Sequence, residues 1–393
     1  VSMTNPKFPY YSINKLLWRW KRHDDACWIV PDVALSLDRP PPDTLCVQPS
    51  PPAPPKPPRR KPEVGDTLLA MMDAHSRFKT WLNTPDPPKP PKPAPTPKQP
   101  QVPPFDIQEI PGAMRKEMMP VAAKLMERWF AGELNYGRTD DDTKAEINQR
   151  GEPYPSSMYD MTTVKLDWAL KPRRAREQYD YLISSAIRTP KAKEQLGKIL
   201  GRYKRPGVKL DVWVMCGENL RNLHRHFQFT FARVGSTLAQ KITEDIDARF
   251  HSNGVPDDLN GALGSFNLYA APAYVTFDVD GRFAEVSGIY VYIKDSYDFT
   301  DKAGQISQYL GHWSKDGIIV LDYNGFVGYL NRPELYRAYA VTMGDPSVKG
   351  NVYYPVHNSD FREWAIKHQR GGDFVVYSDY RFVPIYPPMK VWL

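Results

Sequence analysis

The run YIKDSYDFTD, residues 292–301, sets Asp295, Asp298 and Asp301 around Tyr297, just after a stretch that alternates like a β-strand. Asp295 and Asp298 are three residues apart across the end of that strand, so their carboxylates can converge on one cation or one water. A pair at that separation can hold Mg²⁺ and leave phosphate oxygens to complete its octahedron, or one carboxylate can act as base while the other stays ionised. Tyr297 adds a hydroxyl donor between them, and His312 is the nearest candidate acid. The same residues have a second reading. Thr300 can cap a helix over DKAGQISQYL, ended by Gly311 and burying Ile306, Tyr309 and Leu310, and acids near a helix N-terminus are favoured by its dipole alone. His312 would then serve the last carbonyls of that helix. Both readings stand on the sequence.

Other chemistry-bearing residues group less sharply. His224 and His226 in LHRHFQF share one face of an expected strand and could bind a metal, or simply belong to a polar sheet face. His357, Asp360 and Arg362 cluster ahead of a helix, where Asp360 reads first as a cap. Cys216 follows VWVM as a buried strand residue. DVDG at 278–281 reads as a hairpin turn, since the rest of a calcium loop is missing. No phosphate-binding glycine loop, dinucleotide fingerprint, nucleophile elbow or HExxH motif occurs.

The elements that must position these residues follow from periodicity. AYVTFDVDGRFAEVSGIYVYIKD places Asp280-Gly281 between two alternating runs, as a hairpin requires, with Ile289, Val291 and Ile293 inward and Tyr290 and Tyr292 outward. A second turn at Asn324-Gly325 joins GIIVLDY to FVGYLN. MTTVKLDWALK, VKLDVWVMC, HRHFQFTFARV and DFVVYSDYRFVPI read as further strands. Helices are expected on either side of Pro120 up to Gly132, from Pro172 to about Tyr203, over GSTLAQKITEDIDARFHSNG, and over NSDFREWAIKH up to Gly371-Gly372. Strands in hairpins with helices before and between them predict an α+β fold around an antiparallel sheet with flanking helices, a sheet able to curl toward a barrel.

Composition sets the organisation. Of the 40 prolines, 22 fall in two runs, 40–62 and 85–104, which predict extended polyproline II spacers rather than core. The chain therefore divides into an aromatic-rich docking segment (1–39), a first proline-rich linker (40–62), an amphipathic helix (63–84), a second proline-rich linker (85–104) and the main domain (105–393). That helix starts at the Asp66 cap and carries Leu68, Leu69, Met72, Phe78, Trp81 and Leu82 at helical spacing. It packs back on the main domain or serves as a tethered ligand for a carrier.

The net charge is +7, but in the linkers seven basic and two acidic residues leave +5, so the rest is close to neutral and offers no groove for nucleic acid. Three cysteines without CxxC spacing indicate neither a disulfide framework nor a cysteine zinc site, as in a chain made in a reducing compartment. No apolar run long enough for a transmembrane segment exists, and the opening VSMTNPKFPYY lacks the apolar core of a signal peptide, so export would need a dedicated machine.

Asp295-Ser-Tyr297-Asp298 resembles the D-x-Y-D signature of colicin M-type bacteriocins, and the preceding ARFHSNGVP and the long hairpin are similar in kind to that family's catalytic domain. The resemblance implies a Mg²⁺-dependent hydrolase that cleaves a phosphodiester or pyrophosphate bond of a lipid-linked peptidoglycan precursor. Asp295 would be metal ligand or base, Asp298 its partner at the metal, Tyr297 an orienting donor and His312 the acid. The His-Arg that follows the motif in that family is replaced by Gly304 and Gln305, and His312 is followed by Trp313.

KDSYDFTDKAGQISQYLGHWSKDG together with NSDFREWAIKHQRGGDFVVYSD resembles an uncharacterised bacterial family of type VI secretion and polymorphic-toxin gene neighbourhoods. That similarity implies an antibacterial effector made in the bacterial cytoplasm and secreted without a signal peptide. Such a toxin would act in the target cell envelope, with a secretion carrier or adaptor holding residues 1–104 and a cognate immunity protein. The alternative is a non-catalytic protein-binding or adaptor module of a secretion system.

Overall fold

The computed structural model describes residues 8–14, 19–27, 35–43, 105–235, 257–301, 307–319, 339–343 and 352–393. Most of the two linkers, the 63–84 helix, the 235–254 helix beyond its first residue and the Asn324-Gly325 turn lie outside the described residues.

The strands are, in chain order, β1 (Phe8–Asn14), β2 (Arg19–Cys27), β3 (Leu35–Ser36), β4 (Phe105–Asp106) and β5 (Tyr159–Asp160). Then come β6 (Lys209–Asp211), β7 (Thr230–Val234), β8 (Phe266–Phe277), β9 (Phe283–Tyr297) and β10 (Tyr309–Ser314). The last are β11 (Gly317–Ile319), β12 (Val341–Met343), β13 (Val352–His357), β14 (Phe374–Tyr377) and β15 (Arg381–Trp392). One sheet runs β5-β14-β9-β8-β6, with β15 also on β9 and β7 also on β8; a second runs β11-β10-β13-β12-β1-β2, and β3-β4 form a two-stranded third. Pairing is antiparallel except at β1/β12, β5/β14 and β3/β4. The fold is α+β as the pattern predicts, but no sheet among the described residues closes into a barrel, so the expected curl stops short of closure.

The hairpin β8-β9 is the spine. Gly281 takes a left-handed φ of +64° in its turn, which is longer than two residues because the Asp278 backbone N–H and side chain both bind Phe283 across it. Pro272 is tolerated inside β8 because the register shifts there, so no ladder hydrogen bond is asked of it. Tyr290 and Tyr292, expected to face outward, are 6% and 0% exposed. Alternation reports one covered face; here the helices Val212–Met215 and Leu220–Phe227 cover the other, with Trp213 against Tyr290 and His224 against Tyr292.

Other expected strands prove helical for local reasons. In MTTVKLDWALK the helix Leu166–Ala169 forms, with the Leu166 amide held by Asp379 at 2.6 Å. Asp211 ends β6 and caps Val212–Met215 through Trp213 and Val214, which leaves Cys216 just past a helix rather than in a strand. Asn219 caps Leu220–Phe227 and buries Leu220, Leu223 and Phe227, a helical spacing that outweighs the alternation of HRHFQF. The long helix expected from Pro172 is two, Arg173–Ser184 and Pro190–Gly201.

Helices Ile110–Lys116 and Pro120–Ala131 flank Pro120 as expected, with Gly132 at the second one's C-cap. Pro120–Ala131 and Asn358–His368 clamp the end of β9 through aromatic rings: Trp129 meets Phe299 edge-on at 5.0 Å, and Phe299 stacks on Phe361 at 3.9 Å. Gly371 passes over Trp129 with φ +92°, and an added Cβ would stand 2.7 Å from the indole. Gly371→Ala is expected to lower stability by roughly 1–3 kcal/mol through strain and overpacking; urea denaturation at unchanged m-value reads it.

The N-terminal segment joins this domain in part. β1 pairs with β12, and residues 35–42 lie along the helix Asn358–His368 and its end: Lys367 binds Asp38, His368 binds the Leu37 carbonyl at 2.7 Å and Arg370 binds the Pro42 carbonyl at 2.9 Å.

Candidate functional site

At its C-terminal end β9 lies against β14, with Asp295 opposite Val376 and Tyr297 opposite Phe374. The chain then turns, and the Asp298 carboxylate accepts the Thr300 amide at 3.1 Å. Asp295, Tyr297 and Asp298 all line one cavity of about 430 Å³. Its far walls come from Met119 and Met126 beside and on the helix Pro120–Ala131, from Leu263 on the helix Asp258–Leu263, and from Trp313 and Ile318 of β10-β11. Thus the spacing at the strand end does bring the two acids to one wall, in mixed polar and apolar surroundings. Arg174 also lines the cavity, where Asp257 holds it through two contacts of 2.9 and 3.0 Å.

Half-burial in this wall gives the pair unusual proton affinity. Burial, then the neighbouring Asp298 charge, pushes the Asp295 carboxyl well above the ordinary carboxylate range. Burial and then the charge of Asp373 push Asp298 up to about 6, although the Thr300 amide and Arg362 pull the other way. The Asp298 charge therefore adds to burial in holding the Asp295 proton. Tyr297 stacks on Phe374 at 5.1 Å, and burial pushes its hydroxyl up, so it stays a neutral donor.

His312 stands elsewhere. It is on β10, fully buried, and is not among the residues lining the cavity. The Tyr339 carbonyl accepts from Nε2 at 2.7 Å, which leaves Nδ1 to accept from the Tyr309 hydroxyl at 2.5 Å. Burial pushes the imidazole down to about 3, so it is neutral with both nitrogens engaged, a structural part rather than that of an acid. His312→Ala is expected to cost on the order of 2–4 kcal/mol by stranding both partners, with no change in the rate per folded molecule of any reaction in the cavity; thermal unfolding beside an assay separates the two. The helix expected over DKAGQISQYL does not reach Gly311. Residues 302–306 lie outside the described residues, and from Tyr309 the chain is strand, paired with β13 around a bulge that Gly311 permits with φ +108°.

The remaining candidates separate as well. His224 and His226, two apart on a helix, do not face each other. His224 donates or accepts at the Tyr292 hydroxyl at 3.1 Å and is pushed down to about 4 by burial, while His226 is exposed. Asp360 accepts the His357 amide at 2.7 Å, the capping part expected of it. Burial raises the Cys216 thiol to about 11, which makes it inert. Among the described residues no group of three or more His, Cys, Asp or Glu side chains gathers as metal ligands, and no helix is long and apolar enough to cross a membrane.

Two contributors escaped the sequence reading. Asp373, fully buried, accepts Trp129 Nε1 and Arg362 Nη2, each at 2.8 Å. On the opposite face of β9, Lys294 binds Glu146 at 2.8 Å, and Tyr159 donates to the same carboxylate at 2.6 Å. The available signal for Asp373 was a lone acid directly ahead of the apolar run FVVY.

Fold and cavity together define an α+β domain on two large, open, mainly antiparallel sheets and one two-stranded sheet, with a pair of carboxyls of raised proton affinity in a cavity of mixed lining. Residues 105–393 match the family of unknown function DUF6402, and the chain belongs to that family. No curated protein and no solved structure matches it.

Proposed function

We propose that the Asp295/Asp298 cavity is a hydrolytic site for a phosphodiester or pyrophosphate bond, carried by a secreted antibacterial effector that acts on a lipid-linked envelope precursor. The observation that carries this reading is the convergence of two half-buried carboxylates, both raised by burial and Asp295 also by the Asp298 charge, on one cavity. At neutral pH such a pair holds an ionised and a protonated member together. The ionised carboxylate takes a proton from the attacking water as its oxygen bonds to phosphorus, and the protonated one gives its proton to the leaving oxygen as the old P–O bond breaks. Tyr297 can orient the phosphoryl oxygens, and the methionine-lined walls suit an apolar tail. The D-x-Y-D resemblance supports the substrate class.

Mg²⁺ fits the donor set, because this cation is commonly held by one or two carboxylates with phosphate oxygens and water completing the shell. The ionised Asp298 would hold it while the Asp295 carboxyl keeps its proton, and bound there it would supply the positive charge that an acidic cavity needs to accept a phosphate. A proton and a cation compete for the same oxygens, so its affinity should rise with pH through about 6.

The test incubates the purified chain with a polyprenyl pyrophosphate-linked sugar, with Mg²⁺ or with chelator. Release of the pyrophosphoryl sugar only with Mg²⁺ supports the proposal, and a folded protein that releases nothing under either condition overturns it. A second reading, a binding module, is favoured by one feature: Trp213, Tyr274, Tyr380 and Phe382 form an aromatic face with Tyr274, Tyr380 and Phe382 each at least 40% exposed. Under that reading Tyr380→Ala with Phe382→Ala would abolish toxicity while Asp295→Asn would spare it.

A further inference from the structure

The opposite face of β9 carries a second group of polar side chains, and the strand register places them. Lys294 points away from its neighbour Asp295. β8 sets Asn267 beside it and β14 sets Tyr377 beside it, while two residues back Tyr269 of β8 stands next to Tyr292. Tyr159 of β5 faces the same way, because it pairs with Val375, two residues before Tyr377. The helix Leu220–Phe227 covers part of this face. Its Arg221 guanidinium lies over the Tyr159 ring at 3.3 Å, and its His224 meets Tyr269 edge-on at 4.8 Å with Nδ1 3.1 Å from the Tyr292 hydroxyl. Glu146 ties the group together from a left-handed backbone position with φ +58°, taking Lys294 at 2.8 Å and the Tyr159 hydroxyl at 2.6 Å. Burial raises the Glu146 carboxyl, but Lys294, Tyr159 and Arg221 outweigh it and hold the group below the ordinary carboxylate range.

A sheet face beneath a helix is ordinarily apolar, and a network that served stability alone would spend its donors internally. This one leaves several open. The Arg221 guanidinium, Nε2 of His224 and the Tyr377 hydroxyl have no hydrogen-bond partner among the described residues, and none of these atoms is sealed from solvent. Lys294 has three N–H groups and Glu146 engages it on one side only. Two cations against one carboxylate leave a single net positive charge, since His224 is neutral: burial and then Lys294 push it down to about 4. We infer that this face is a second binding site, for the carboxylate of an organic monoanion. The planar fork of Arg221 matches the two oxygens of a carboxylate, and Lys294 and the Tyr377 hydroxyl supply further donors beside it. One net positive charge suits one negative charge. The ligand's body would be apolar or aromatic, because Tyr269 continues outward on the same face to Phe231 of β7, 5.8 Å away and 52% exposed. None of this depends on the hydrolytic reading, which uses other residues on the other face of β9.

The test titrates benzoate, acetate and inorganic phosphate into the full chain labelled with ¹⁵N-arginine, with chelator present so that no cation carries the anions into the cavity. The reading is the Arg221 Nε–Hε signal, assigned by its contacts to the Tyr159 ring, so no variant has to fold for the answer. Benzoate is expected to move and saturate it with a Kd of about 1 mM. Acetate, which lacks the ring, should bind more weakly, and chloride at matched ionic strength should leave the signal in place. Two variants then separate a site from a patch of charge. Arg221→Lys keeps the charge and loses the fork, and Lys294→Gln loses the charge yet can still donate to Glu146; each should weaken benzoate about tenfold. An Arg221 signal that benzoate leaves unmoved, that chloride moves as far, or that phosphate saturates at lower concentration than benzoate would overturn the inference. So would folded variants that bind benzoate as the wild type does. A chain that hydrolyses nothing leaves this result intact and refutes only the hydrolytic reading.

Discussion

Asp295→Asn and Asp298→Asn are each expected to remove hydrolysis by a factor of about 10²–10⁴ without lowering thermal stability. Asparagine keeps the shape of the side chain and its acceptor oxygen, so the Asp298 turn onto the Thr300 amide survives. What disappears is a proton site. The stability result has a definite sign. Both folded-state carboxyls are raised above their unfolded values by burial and by like charge, so the folded chain binds more protons than the unfolded chain. The resulting stabilisation is full below about pH 4 and is lost as pH rises through the folded values, for Asp298 through about 6. The loss attached to Asp298 is on the order of 2 kcal/mol. Asp298→Asn should therefore flatten the fall in urea midpoint between pH 4 and 7 and match or exceed the wild type at pH 7. If both variants unfold and activity falls only in proportion, the turn is structural.

Trp129→Ala should be the most destabilising single change in the domain. The indole is 0% exposed and meets Phe130, Phe299, Phe361 and Trp364 at ring distances between 5.0 and 5.7 Å, joining two helices to the site turn. Truncation to alanine in a core costs roughly 3–5 kcal/mol, and here it also strips a donor from the buried Asp373 carboxylate. Trp129→Phe separates the two contributions, since it keeps most of the packing and loses the N–H; its cost is expected near 1–3 kcal/mol. Equilibrium denaturation of both variants measures this, with the phenylalanine variant more stable than the alanine variant. Equal losses in the two would show that packing contributes little at this position.

The hairpin β8-β9 and the placement of Asp295 and Asp298 were legible because both are local: a period of two, a Gly at positive φ, and two acids at one strand end. Several features were not, each for a physical reason. Alternation marks one buried face and is silent about a second layer, so Tyr290 and Tyr292 looked exposed. The segment HRHFQF alternates in polarity, yet the Asn219 cap and the spacing of Leu220, Leu223 and Phe227 make it a helix. A short polar run ending in GHW can be helix or strand on propensity alone, and pairing with β13 decides for strand. The support for the site lies still further from the sequence pattern. Trp129 and Asp373 are 244 residues apart in the chain and meet only in the folded core, so no local window contains both. His312 lies near the acidic pair in sequence, whereas its neighbours in space are Tyr309 and Tyr339.

The proposed chemistry requires a protonated Asp295 beside an ionisable Asp298 whose charge raises it. Carboxyl ¹³C NMR of the aspartate-labelled wild type, followed from pH 3 to 9 with the Asp295→Asn and Asp298→Asn variants for assignment, observes that proton itself. The expected result is an Asp298 midpoint near 6 and an Asp295 midpoint well above the ordinary range, with Asp295 dropping when Asp298 is replaced. Two independent titrations near pH 4, indifferent to each other's replacement, would contradict it.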